Sequence, residues 1–243
     1  MYLCVVRVLV LQHIACEPPG AYEDVLAERG ATIHRVELDE GEPLPDLGGF
    51  DAVIAMGGPM SVNDEDEYPW LVDEKRLIRR AAEGGVPFWG ACLGVQLLAS
   101  ALGARVYAGS EPEVGMLPVR LTAAGSADPV LGTLPTEFMT LQWHGDTFDL
   151  PKGATSLAGS PAYPNQAFRL GRAYGVQFHL EVSVAMAKEW AGVPAYGNYL
   201  DRVLGPGSLP RLIRDVAEHE SELRDHGRRM FQAWVDTHVG ART

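Results

Sequence analysis

Val86-Pro87-Phe88-Trp89-Gly90-Ala91-Cys92-Leu93-Gly94-Val95-Gln96-Leu97-Leu98-Ala99-Ser100-Ala101-Leu102 reads as a short apolar strand, a glycine-flanked turn and a helix. A strand that passes at once into a helix is the building unit of parallel α/β sheets. The same rhythm extends upstream. Leu3–Leu11 is a near-continuous apolar run, as expected of a strand covered on both faces. Tyr22–Arg29 reads as a helix closed by Gly30, Thr32–Leu38 and Ala52–Met56 as strands, and Tyr68–Glu83 as a helix stopped by Gly84-Gly85. Downstream of Gly103 the helices drop out. Val114–Leu121, Glu137–Trp143, Ala154–Ala158, Gln166–Leu170 and Ala173–Phe178 read as strands joined by turns, before a helix over Val184–Ala191. The expected fold is α/β: a doubly wound, mainly parallel central sheet flanked by helices, with a small antiparallel extension. Residues 196–243, broken by Gly and Pro and then strongly helical over Leu209–Val239, are expected to form a helical extension packed on the domain of residues 1–195.

The chain has 243 residues, 47% of them hydrophobic, enough for one substantial core. A formal charge of −12 argues against nucleic acid or an anionic membrane as the partner. The apolar start lacks a basic flank and a small-residue cleavage site, so it reads as a strand and not as a secretion signal. No apolar run approaches the ~18–20 residues of a membrane helix. The three cysteines, Cys4, Cys16 and Cys92, show no CxxC pair or zinc-ligand spacing, and a reducing cytoplasm is the expected location. Cys4 is expected to be a small buried hydrophobe, and Cys16 has no activating context.

Cys92 sits where a nucleophile elbow would place it. A sharp strand-to-helix turn needs small residues two before and two after, here Gly90 and Gly94, because side chains there would strike neighbouring elements. The turn lifts the thiol to the carboxyl edge of the sheet and sets it at a helix N-terminus, which favours the thiolate. A structural cysteine in a glycine-rich turn would show the same five residues. The second element is Gln177-Phe178-His179-Leu180-Glu181. If the strand continues through it, the period of two puts His179 and Glu181 on one side, where a carboxylate can fix an imidazole's tautomer. The third is the Gly57-Gly58-Pro59 turn. It is either a plain tight turn or a place where bare backbone N–H groups, with that of Leu93, approach an oxyanion.

Met56-Gly57-Gly58-Pro59-Met60-Ser61-Val62, Gly90–Gln96 and Gln177–Glu181 together resemble the class I, triad-type glutamine amidotransferases, and most closely the glutaminase domain of GMP synthase and its stand-alone relatives. The resemblance implies a flavodoxin-like core, Cys92 as nucleophile, His179 as its base and Glu181 as the orienting acid. It implies the Gly57-Gly58 turn and Leu93 as the oxyanion hole, with the amides of Gly58 and Leu93 as donors, and Gln96 as a contact to glutamine. Trp143-His144-Gly145-Asp146 resembles a Ser-His-Gly-Asp stretch near the substrate's α-amino and carboxylate groups. Trp143 stands in place of serine, and His144 is expected to support the pocket. Leu180 stands where many relatives carry proline. It keeps an N–H that needs a partner, and it should point away from the thiol.

The implied reaction is hydrolysis of the glutamine side-chain amide through a γ-glutamyl thioester, with no metal or cofactor. The acidic run Asn63–Glu67 and the segment Glu111-Pro112-Glu113 read as solvated loops. No GxxxxGK[ST] or GxGxxG phosphate loop is present, so ATP-dependent activation of an acceptor would fall to a separate synthetase subunit. The alternatives are a stand-alone hydrolase of γ-glutamyl peptides or conjugates and a regulatory subunit active only with its partner. The long helical tail favours a free-standing protein or a homo-oligomer.

Overall fold

A computed structural model describes residues 5–239; Cys4 lies outside them, as do the first residues of the expected Leu3–Leu11 strand. The first half alternates as the apolar pattern requires: β1 (Arg7–Gln12), α1 (Ala21–Glu28), β2 (Thr32–Glu37), β3 (Ala52–Ala55), α2 (Trp70–Glu83), β4 (Phe88–Ala91) and α3 (Leu93–Ala101). The second half holds β5 (Val106–Leu121), the single-turn α4 (Ala123–Ser126), β6 (Glu137–Phe148), β7 (Thr155–Gly159), β8 (Ala167–Leu170) and β9 (Ala173–Val176). Helices α5 (Val184–Gly192), α6 (Pro194–Leu204) and α7 (Leu209–Trp234) follow.

Among the described residues all nine strands join one sheet, in the order β2-β1-β3-β4-β9-β8-β7-β5-β6. From β2 to β9 every pairing is parallel, and from β9 to β6 every pairing is antiparallel. Strand β9 is the hinge between the two halves, running parallel to β4 and antiparallel to β8. The antiparallel strands therefore continue the core sheet sideways.

Alternation along the parallel strands divides the core into two layers. Val8, Val10, Ile54, Trp89 and Tyr174 face one way and meet Tyr22 and Val25 of α1 and Phe231 and Trp234 of α7. Leu9, Leu11, Val53, Ala55 and Phe88 face the other way, onto Leu71 and Ile78 of α2 and Leu97 and Leu98 of α3. Helix α7 is fastened beneath the middle of the sheet by an aromatic cluster. Phe231 stacks on Tyr22 at 4.7 Å between centroids and meets Trp89 edge-on at 5.4 Å. Truncating one such ring costs about 3–5 kcal/mol in a typical core. Among the described residues no helix is long and apolar enough to cross a membrane.

Candidate active site

Strand β4 and helix α3 are joined by Cys92 alone. Cys92 has φ 52° and is the one non-glycine residue with positive φ among those described. Such backbone costs about 1–3 kcal/mol and persists only where its surroundings enforce it. Here its N–H donates to Val176 O at 2.9 Å, which ties the turn to β9. A Cβ on Gly90 would lie 2.5 Å from the Gly94 carbonyl, and one on Gly94 would lie 2.1 Å from Ala55 O. Both flanking glycines are thus demanded by backbone contacts.

The expectation that a strand carries His179 and Glu181 does not hold. Strand β9 ends at Val176, opposite Ala91, the last residue of β4, and beyond that point there is no parallel neighbour to pair with. His179 instead pairs with Leu141 of β6, giving its N–H to Leu141 O at 2.9 Å and accepting from Leu141 N–H at 3.2 Å. The two side chains still meet: His179 Nδ1 lies 2.6 Å from Glu181 Oε1, and both residues are buried. The second carboxylate oxygen accepts the Leu180 N–H at 3.0 Å. That is the partner the leucine needed, and the Leu180 side chain turns into the core layer that includes α7. Burial alone would depress the His179 imidazole. The Glu181 carboxylate and the Cys92 sulfur outweigh that effect and hold it well above its ordinary value. With Nδ1 committed to Glu181, Nε2 is the atom left for the thiol. The Cys92 sulfur also accepts from Gln177 Nε2 at 3.7 Å, and Gln177 Oε1 accepts from Gln96 Nε2 at 3.0 Å.

The Gly57-Gly58 turn is hemmed in by Leu93 and by two side chains that the sequence does not single out, Glu17 and His13. A Cβ on Gly57 would fall 1.8 Å from Glu17 Oε2, and one on Gly58 would fall 2.9 Å from His13 Cβ and 3.0 Å from Leu93 Cδ2. His13 Nδ1 lies 3.1 Å from the Gly57 carbonyl and Nε2 lies 2.8 Å from Glu74 Oε1, with His13 and Glu74 fully buried. Burial pulls the His13 imidazole down, but Glu74 and the Gly57 carbonyl together raise it. Glu17 accepts from the Tyr196 hydroxyl. Burial pushes the Glu17 carboxyl up, against the opposing pull of His179 and of that hydrogen bond. One signal was available for Glu74: it interrupts the apolar stripe Leu71, Leu77, Ile78 and Ala81 on the buried face of α2. Cys16, beside Glu17, is half-buried, and burial followed by the Glu17 charge pushes its thiol up to about 11.

Gly58, Cys92, Leu93, Gln96, Trp143, His144 and Asp146 border one cavity of about 490 Å³. Its far wall comes from α6, through Tyr196, Asn198, Tyr199 and Arg202. Sequence patterning gave no hint that the tail reaches the site. The segment expected to be a surface loop at Glu111-Pro112-Glu113 is part of β5, at a register shift against β6. Glu113 is buried there, 3.1 Å from His144 Nε2, and accepts from Gln166 Nε2 at 2.5 Å. These hydrogen bonds outweigh burial and lower its carboxyl. His144 Nδ1 donates to Asp146 O at 2.9 Å, and the Asp146 carboxylate accepts from Ser61 Oγ at 2.8 Å. In the acidic run, Asp64 accepts the Ser61 N–H at 2.8 Å and also borders the cavity, while Glu65 pairs with Lys75. Among the described residues no group of three or more His, Cys, Asp or Glu is placed to hold a metal ion.

Comparison with known proteins bears on the family and the fold. A family model described as glutamine amidotransferase class-I matches residues 21–189. The glutamine amidotransferase-like protein YfeJ of Salmonella typhimurium is 34% identical over 217 residues, covering 87% of this chain and 88% of that one. The glutamine-hydrolyzing GMP synthase of Porphyromonas gingivalis is 33% identical over 159 residues, 64% of this chain but only 29% of the synthase. Among solved structures, a glutamine amidotransferase from Thermotoga maritima superposes with a TM-score of 0.85 at 33% identity, over 97% of this chain and 99% of the other. One from Methylobacillus flagellatus gives 0.85 at 28% identity, over 96% and 95%. With family model, relative and fold in agreement, the chain belongs to the class-I glutamine amidotransferases, a family of glutamine-hydrolysing enzymes.

Proposed function

We propose that Cys92, His179 and Glu181 form a triad that hydrolyses the side-chain amide of glutamine and releases ammonia. The observation that carries this reading is the buried Glu181–His179 pair, 2.6 Å apart, set beside the thiol at the elbow. Cys92 sulfur adds to the amide carbon, and the carbonyl oxygen becomes an oxyanion that accepts from the N–H groups of Gly58 and Leu93. Leu93 opens α3, so its N–H has no partner within the helix. His179 Nε2–H protonates the leaving nitrogen, ammonia departs, and a γ-glutamyl thioester remains. The now neutral His179 takes a proton from water, whose oxygen adds to the thioester carbon. Glutamate leaves and the thiolate–imidazolium pair returns. Gln96 is the proposed contact to the glutamine, and His144 buttresses its wall of the pocket.

The names of the GMP synthase relatives support glutamine as substrate, while the chain spans only 29% of the P. gingivalis synthase. In this reading the ammonia passes to a separate ATP-dependent synthetase. A second reading, hydrolysis of γ-glutamyl peptides or conjugates, is favoured by the cavity itself. Its volume of about 490 Å³ falls in the ~300–1,000 Å³ range of sites for drug-sized ligands, more than one amino acid fills. Glutamate release from glutamine and from a panel of γ-glutamyl amides decides between them. Cys92→Ala should abolish release from every substrate, and release that survives it would remove the triad. Stimulation of glutaminase activity by a co-purifying synthetase would mark the chain as its subunit.

A further inference from the structure

We infer that His13, held by Glu74, is a positioning residue that sets the oxyanion hole by fixing the plane of the Gly57–Gly58 peptide. The inference rests on the amide-hydrolysis reading above and assigns a task to a buried pair that the triad leaves unexplained.

The peptide is trans, as are all peptides among the described residues, so the Gly57 carbonyl and the Gly58 N–H point in opposite directions. The carbonyl aims at His13 Nδ1, 3.1 Å away on a fully buried side. The N–H is thereby turned to the other side, where Gly58, Leu93 and Cys92 border the cavity. Nothing in a Gly-Gly pair resists rotation of the peptide between the two α-carbons. A flip would swing the carbonyl oxygen toward the developing oxyanion and replace a donor with a repelling acceptor. His13 opposes the flip because its Nδ1–H would then face the N–H of Gly58, donor against donor.

Glu74 makes that donor permanent. Both ring nitrogens of His13 face acceptors, a carbonyl at Nδ1 and a carboxylate at Nε2. A neutral imidazole can donate from only one of them, whereas the imidazolium donates from both. Trp70 lies over the ring at 5.7 Å and 25° and fixes its plane. Glu17, whose Oε2 occupies the space where a Gly57 Cβ would stand, closes the turn from another side.

Two double variants separate this role from packing. His13→Leu/Glu74→Met removes the buried pair without stranding a charge, and His13→Asn/Glu74→Met restores an amide N–H at the Nδ1 position. Loss of an oxyanion donor costs about 10²–10³ in kcat. The leucine variant should lose kcat by at least tenfold, with KM for glutamine within threefold. Its Cys92 should alkylate with iodoacetamide at the wild-type rate, since that reaction forms no oxyanion. Affinity for L-glutamate γ-semialdehyde, which adds to the thiol as a thiohemiacetal, should fall in parallel with kcat, and the asparagine variant should recover most of both. Wild-type kcat in a folded leucine variant, or an equal loss in alkylation rate, would overturn the inference while leaving the triad intact. A wild-type enzyme inactive both alone and with a co-purifying synthetase would overturn the hydrolysis reading itself. Should the variants not fold, ¹⁵N-histidine NMR of the wild-type chain decides: His13 should show both ring nitrogens protonated, and an unprotonated Nδ1 would end the argument.

Discussion

The Leu180 N–H and His179 Nδ1 bind opposite oxygens of the same carboxylate, Glu181 Oε2 at 3.0 Å and Oε1 at 2.6 Å. Glu181 is therefore gripped by the two residues just before it, and its plane is fixed by backbone as well as by the imidazole. A proline at 180 would leave Oε2 without that donor. Leu180→Pro should lower kcat about three- to tenfold, in line with about 1 kcal/mol for one hydrogen bond. It should also lose roughly 2–3 kcal/mol of stability from the fully buried leucine side chain. Steady-state kinetics beside urea denaturation separates the two effects.

The imidazolium of His179 is the proposed donor to ammonia, and its pKa stands well above the ordinary ~6.5. Activity should persist above that pH and fall only as pH rises through the raised value. Glu181→Gln removes the largest of the influences that raise it, so the alkaline limb of kcat/KM should move to lower pH. The same shift gives His179 a stabilising contribution that is full below about pH 6.5 and lost as pH climbs through the folded value. An alkaline limb unmoved in Glu181→Gln would assign it to another group.

How much of the site was legible depends on how local its cause is. Gly90 and Gly94 could be read because both flank one strained residue, and the spacing is the mechanism. His179 and Glu181 were readable as a pair, but not for the reason given: a bridge to Leu141, rather than a continued strand, brings them to the site. His13 and Glu74 are 61 residues apart, and Glu17 and Tyr196 are 179 apart. No short-range pattern announces such pairs. Glu113 was misread because a Glu-Pro-Glu run looks solvated until β6 covers it.

Gly94→Ala should destabilise the fold by about 2–4 kcal/mol, since its Cβ would sit 2.1 Å from a carbonyl oxygen in β3 that has no room to retreat. Chemical denaturation reads the cost directly. A loss under 0.5 kcal/mol would mean that the β3–α3 packing yields more than these contacts allow.

Tyr196→Phe strips Glu17 of its hydroxyl donor and removes one polar group from the cavity wall. Stability should fall by about 1–3 kcal/mol, and KM for glutamine should rise. Adding Glu17→Gln should recover part of the stability, because an amide tolerates burial without a charge-matching donor. Strict additivity in that double-mutant cycle would show the two residues to be uncoupled.

The contact between Glu17 and Tyr196 bears on when the enzyme becomes an enzyme. One partner lies before α1, and the other lies in a helix that follows every described strand and lines the reaction chamber. A chain emerging from the ribosome has its elbow cysteine about a hundred residues before it has α6, so until α6 is made the thiol lacks that wall of its chamber. That wall arrives only with α6, after every described strand has been made.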